Sequence, residues 1–179
     1  SIFKKDDAEP GRLQSFYAAG GNYTQFVSAG KALKKTAGSV ISSAASLDGG
    51  AKAVLTDKDK LYYVSPSGTT TVSSNVVFCS ISADGTAIPY LVDNSKEISE
   101  TSESETENAK PDDVTEPQKA LYDKSTFSLF LYSCAEKTST LVANNVNNHS
   151  VAVSPDGKAV SYTIASSDSK SFEGYICNG

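Results

Sequence analysis

Few residues in this chain are equipped for chemistry. His149 is the single histidine and Cys79, Cys134 and Cys177 are the only thiols. Acyl transfer by serine or cysteine needs a nucleophile within reach of a base. His149 ends the polar run Asn-Asn-Val-Asn-Asn-His and reads as a loop residue, no Gly-x-Ser-x-Gly elbow occurs, and Cys79 and Cys134 sit in apolar stretches where a thiol is packing rather than nucleophile. Asp57 and Asp59 put two carboxylates in one turn, but without an EF-hand pattern they read as a charged hairpin. The three cysteines follow no metal or disulfide spacing, and three reduced, buried thiols are expected over one pair and a free thiol. Neither a catalytic set, a metal site nor a cofactor site is expected, and the chain is read as non-enzymatic.

What does recur is a turn. Val151 to Thr163 alternates apolar with small or polar residues on both sides of Pro155-Asp156-Gly157, the pattern of two antiparallel strands joined tightly. The phrase returns as Ser82-Ala83-Asp84-Gly85 and as Ser46-Leu47-Asp48-Gly49-Gly50. Asp48, Asp84 and Asp156 are read first as turn residues, because an Asp side chain accepts hydrogen bonds from the backbone of its own turn. Gly49, Gly85 and Gly157 complete the three repeats.

These turns need strands on either side. The sequence predicts strands at 40–47, 52–56, 61–65 and 69–73, an up-and-down sheet of four, and then at 76–82 and 87–92. Strand character resumes at 127–134, 140–143, through the third hairpin, and finally at 172–177. A strand at 22–29 and a weak one at 32–36 precede them. Residues 1–21 read as a lead-in segment with a short helix over 10–19 closed by Gly20 and Gly21, ahead of a single domain at 22–179. In Leu61-Tyr62-Tyr63-Val64, Val76-Val77-Phe78-Cys79 and Phe127 to Tyr132 both faces are apolar, so these strands are expected between neighbouring sheets. The aromatic set Tyr62, Tyr63, Tyr90, Phe130, Tyr132 and Tyr162 is assigned mainly to that packing, with a carbohydrate or peptide platform as the other use.

Between 93 and 118 the composition changes: nine acidic residues face two lysines, a net of −7 in a chain whose total is −5. With Ile98 and Val114 as its only sizeable apolar residues, this segment cannot bury enough surface to order itself and reads as an inserted, mobile loop. The Asp-to-Asp intervals, 36 and then 72 residues, place the insertion between the second and third strands of the middle sheet.

The net charge argues against nucleic acid, and no apolar run reaches the roughly 20 residues of a membrane span, so a soluble chain that does not itself cross a membrane is expected. It begins at Ser1 rather than Met and is read as a mature form or an excised piece.

With Val151-Ala152-Val153 before it, Ser154-Pro155-Asp156-Gly157-Lys158 resembles the repeat of TolB-like and WD-type β-propellers, in which this turn joins the innermost strand of a blade to the second. The other two copies resemble it more loosely, no Trp-Asp dipeptide closes a blade and no Gly-His precedes the inner strands. The resemblance implies an all-β fold of antiparallel four-stranded blades, a partial β-propeller, with a multi-sheet β-sandwich as the alternative. Two full blades fall short of the 4 to 8 that close a ring, leaving a fragment, a homodimer that completes a ring, or an open stack. The resemblance further implies a binding module for a protein or peptide partner, extracellular or at a bacterial cell surface. The alternatives are an accessory propeller segment of a larger hydrolase and a ligand or glycan sensor domain of a membrane-anchored receptor.

Overall fold

The computed structural model describes residues 13–17, 23–28, 31–94, 127–165 and 172–178. Those residues contain fifteen strands and no helix, and none is a helix long and apolar enough to cross a membrane. The strands form four antiparallel sheets, the blades of a partial β-propeller.

The second blade is a meander of β5 (Val40–Ala45), β6 (Lys52–Thr56), β7 (Leu61–Ser65) and β8 (Gly68–Ser73). The third repeats it with β9 (Val76–Cys79), β10 (Ala87–Asp93), β11 (Phe127–Ser133) and β12 (Thr138–Asn144). The fourth holds β13 (Ala152–Val153), β14 (Ala159–Ala165) and β15 (Phe172–Asn178). In the first, β1 (Leu13–Tyr17) pairs with β2 (Tyr23–Ser28), which pairs on its other side with the two-residue strands β3 (Lys31–Ala32) and β4 (Thr36–Ala37).

Each repeated turn sits at the end of an inner strand, β5, β9 or β13, and opens the second strand. All three turns therefore lie at one end of the blades, here the turn end. The connections 57–60, 74–75 and 145–151 lie at the opposite end.

Two expectations are corrected. The helix over 10–19 is absent from its described part: Leu13–Tyr17 is a strand, in full register with β2 from Leu13 opposite Ser28 to Tyr17 opposite Thr24, and it lies inside the stretch read as lead-in. Leu13, Phe16 and Tyr17 fit one helix face, but alternate positions serve a strand equally, and the long-range pairing decides. The strand at 32–36 is two fragments separated by Leu33 to Lys35.

The blades hold together because their middle strands bury both faces. Along β10 every residue from Ala87 to Leu91 is buried. Ile88 and Tyr90 join a core with Ala53, Leu55 and Leu61 of the second blade, while Leu91 joins Leu129, Val146 and Val160 toward the fourth. A third core, of Phe26, Val54, Tyr62 and Val64, binds the first blade to the second. This is the two-sided burial expected of strands lying between sheets.

Entry to the inner strands repeats as well. Asn75 and Asn145 both take positive φ, 56° and 58°, and each precedes a fully buried valine, Val76 or Val146. Asparagine tolerates this left-handed backbone better than most residues.

The acidic stretch 93–118 runs in the interval between β10 and β11, which are direct antiparallel neighbours with Asp93 opposite Phe127. Residues 95–126 lie outside the described residues. Because the two strand ends already face each other, replacing 95–117 by a short Gly/Ser turn is expected to cost on the order of 1 kcal/mol or less in urea unfolding. Failure of that variant to fold would make the segment part of the core.

Candidate functional site

The three Asp-Gly turns are built identically, around a residue that reading the turn as Asp-Gly overlooks. In the first, Ser46 Oγ donates to Asp48 Oδ1 (2.6 Å) and accepts the backbone N–H of Ala51 (2.9 Å), while Asp48 Oδ1 also accepts the N–H of Gly50 (2.8 Å). In the second, Ser82 Oγ donates to Asp84 Oδ1 (2.6 Å) and accepts Ala87 N–H (3.0 Å), and Asp84 Oδ1 takes both the N–H (3.0 Å) and the hydroxyl (2.7 Å) of Thr86. In the third, Ser154 Oγ donates to Asp156 Oδ1 (2.6 Å) and accepts Ala159 N–H (2.9 Å), with Lys158 N–H on Asp156 Oδ1 (3.2 Å). Each carboxyl is held below the usual carboxylate range, first by its serine hydroxyl. The Asp residues are therefore ionised turn supports. The signal for the serine was a Ser two positions before every Asp, lost in a chain rich in serine.

The turns also touch one another. Leu47 N–H donates to Ala83 O (2.8 Å) and Asp84 N–H to Pro155 O (3.0 Å), so the second turn is tied to both the first and the third. Gly49, Gly85 and Gly157 all take positive φ, between 70° and 75°. A Cβ on Gly85 would come within 3.1 Å of Ser46 Cβ and Ala51 Cβ, and one on Gly157 within 2.8 Å of Ala87 Cβ, so each of these two glycines lies directly against the turn of the blade before.

This stacking brings the inner strands together. Ala45 and Leu47 from the end of β5, Ser80, Ile81 and Ala83 from the end of β9, and Val151 to Val153 with Pro155 around β13 line an open groove of about 460 Å³. Among the described residues no charged side chain lines it. Leu47 is 90% exposed and Ile41, further down β5, 60%. An open, uncharged groove of this size, lined mostly by apolar side chains but presenting polar as well as apolar surface, is within the range of volumes that hold a ligand or an extended peptide. Of the residues expected in the repeat turns, Pro155 lines the groove itself, whereas Asp48, Gly49, Asp84, Gly85, Asp156 and Gly157 shape the turns around its mouth. Leu47 and Ala83 are the site residues that reading the turns missed.

Among the described residues, the candidate nucleophiles Cys79 and Cys134 do not meet a base; the side chain of Cys177 lies outside them. Cys79 and Cys134 are free and buried in the core between the second and third blades, where burial pushes both thiols up to about 12. His149 is exposed on the loop before β13, with its backbone N–H donating to Asn147 Oδ1 (3.1 Å). Iodoacetamide at neutral pH is therefore expected to leave Cys79 and Cys134 unmodified in the folded chain and to modify both in urea, as read by peptide mass spectrometry. Rapid native labelling of either would show that this core opens.

Asp57 Oδ1 accepts Ser39 N–H (3.0 Å) and Asp59 has positive φ (53°) in the same turn. Among the described residues no three His, Cys, Asp or Glu side chains converge as metal ligands. Of the aromatic set, Tyr62, Tyr90 and Tyr132 are buried; Tyr90 stacks on Phe130 (5.4 Å between centroids) and Tyr63 tilts against Tyr132 (6.0 Å). These rings are packing between and within blades.

No protein-family model matches this chain, and no curated protein matches it. Among solved structures it is similar to the tricorn protease, with 15% identity and a TM-score of 0.48 over 79% of this chain and 13% of that one. It is also similar to TolB from Acinetobacter baumannii (13% identity, TM-score 0.44, 87% of this chain and 35% of that one). A third is the acylaminoacyl peptidase of Pyrococcus horikoshii (9% identity, TM-score 0.49, 88% and 26%). The chain thus spans 35% or less of the length of each of these three proteins.

Proposed function

We propose that the chain is a non-catalytic binding module that takes an extended, predominantly apolar segment of a protein or peptide partner in the groove between its inner strands. The observation that carries this reading is the groove itself: three blades contribute apolar residues to one uncharged concave face, and Leu47 stands almost wholly exposed on it. A large aliphatic side chain on the rim of a pocket is a contact that association with an apolar partner would bury. Above and around it the three ionised Asp turns are internally hydrogen-bonded and hold the rim rigid, so little ordering would be needed on binding. Ser80 is the one hydroxyl among the described lining residues and none of them is a base that would activate it, which supports binding rather than turnover.

The test is selection of a displayed library of extended peptides on the whole chain, followed by fluorescence anisotropy with each selected peptide. Leu47→Glu and Ala83→Glu change exposed positions, and surface changes of this kind cost within about 0.5 kcal/mol of stability. Selected peptides are expected to be apolar and to lose about tenfold or more in affinity, about 1.4 kcal/mol, in either variant. No enrichment, or peptides indifferent to both substitutions, would remove the groove as the site.

A further inference from the structure

The end of the blades opposite the turns carries a second surface, of different chemistry. Lys58 and Lys60 are exposed in the loop between β6 and β7, and Lys34 and Lys35 are exposed just before β4. These two loops are neighbours: Asp57 N–H donates to Ser39 O (2.9 Å), Ala37 N–H to Tyr62 Oη (3.1 Å), and Gly38 lies against the Lys58 side chain. Lys35 Nζ stands 3.9 Å over the Tyr23 ring, a contact that leaves its charge available to an anion. Asp57, Asp59 and Asp93 lie beside the four lysines, so the patch keeps a small excess of positive charge, +4 against −3.

The point where the acidic stretch leaves the fold is close by. Asp93 N–H donates to Asn75 O (2.9 Å), and the next residue, Val76, donates its N–H to Asp59 O (3.0 Å). Two backbone hydrogen bonds therefore connect the end of β10 with the lysine loop. The stretch from 93 to 118 has a net charge of −7 and the rest of the chain +2. Attachment at Asp93 gives such a segment a high effective concentration for a surface beside that residue. A single exposed ion pair contributes little, but a run of carboxylates tethered near four lysines sums several of them.

We infer that Lys34, Lys35, Lys58 and Lys60 form a docking surface for an acidic peptide, and that its occupant is the acidic segment 95–118 of the same chain. The surface is separate from the apolar groove, which lies at the turn end.

Zero-length carbodiimide coupling of the full chain, analysed by peptide mass spectrometry, tests this on a mixture of isotopically light and heavy chains. At about 0.01 M salt, where charges interact over about 30 Å, same-isotope links should join Glu97 to Glu116 with Lys34, Lys35, Lys58 or Lys60. Those links should fall at least fivefold near 1 M salt, where the range shrinks to about 3 Å. They should also be lost in the exposed triple variant Lys34→Glu, Lys58→Glu, Lys60→Glu, with its circular dichroism unchanged. Links spread evenly over Lys31, Lys137 and Lys158, links insensitive to salt, links only between light and heavy chains, or no links would each overturn the inference.

Discussion

Replacing Gly157 by alanine is expected to lower the stability of the chain by about 2–4 kcal/mol, the same change at Gly49 by about 1 kcal/mol, and at Gly85 by an intermediate amount. Gly49 and Gly157 have the same φ, 70°. The cost of placing an L side chain in the left-handed region is therefore common to both, of order 1–2 kcal/mol. Their surroundings differ. Gly49 has nothing within 4 Å of an added Cβ, whereas at Gly157 that atom would meet Thr86 Oγ1 at 2.6 Å and Ala87 Cβ at 2.8 Å. The threonine hydroxyl can rotate away only by giving up its hydrogen bond to Asp84, and the alanine methyl, fixed to the backbone of β10, cannot move without the strand. Overpacking of this kind costs about 1–3 kcal/mol. Gly85 is the middle case, with Ser46 Cβ and Ala51 Cβ at 3.1 Å. Urea unfolding of the three variants, compared at equal slope, reads the series directly. Equal losses at all three would show that the contact between successive turns contributes nothing and that only backbone strain is felt.

The same glycines show what could be read from the residues alone. Strands at 52–56 and 61–65 were legible to the residue because each lies between turn formers and is dense in β-branched or aromatic residues. Asp-Gly identified the hairpins through the φ that glycine permits. That Gly85 and Gly157 must also be glycine because another blade lies against them depends on contacts with Ala51 and Ser46, and with Thr86 and Ala87, 34 to 71 residues away, which no local pattern encodes. Leu13 to Tyr17 illustrates the same limit, for its partner β2 decides between strand and helix. The groove was hidden for a related reason. Leu47 reads as a single exposed leucine, and Ala83 and Pro155 as turn residues, until three inner strands bring them to one face.

Core truncations test whether the blades act together. Ile88 and Leu129 are both fully buried in the third blade, but they point to opposite neighbours. Ile88→Ala opens the core shared with Ala53, Leu55 and Leu61 of the second blade, and Leu129→Ala the core shared with Val160 of the fourth. Each is expected to cost about 2–5 kcal/mol, according to how far the site can collapse. Against a whole-domain stability of about 5–15 kcal/mol, either is a large fraction. Stacked repeats derive much of their stability from the interfaces between neighbours, so the loss should spread along the stack. Amide exchange by mass spectrometry resolves this. Ile88→Ala should speed exchange in β6, β7, β10 and β11, and Leu129→Ala in β10, β11 and β14. Faster exchange confined to β10 and β11 in both variants would mean that each blade is stabilised by its own strand pairing. The cores between blades would then be passive contacts, and the groove that depends on them would have no rigid frame.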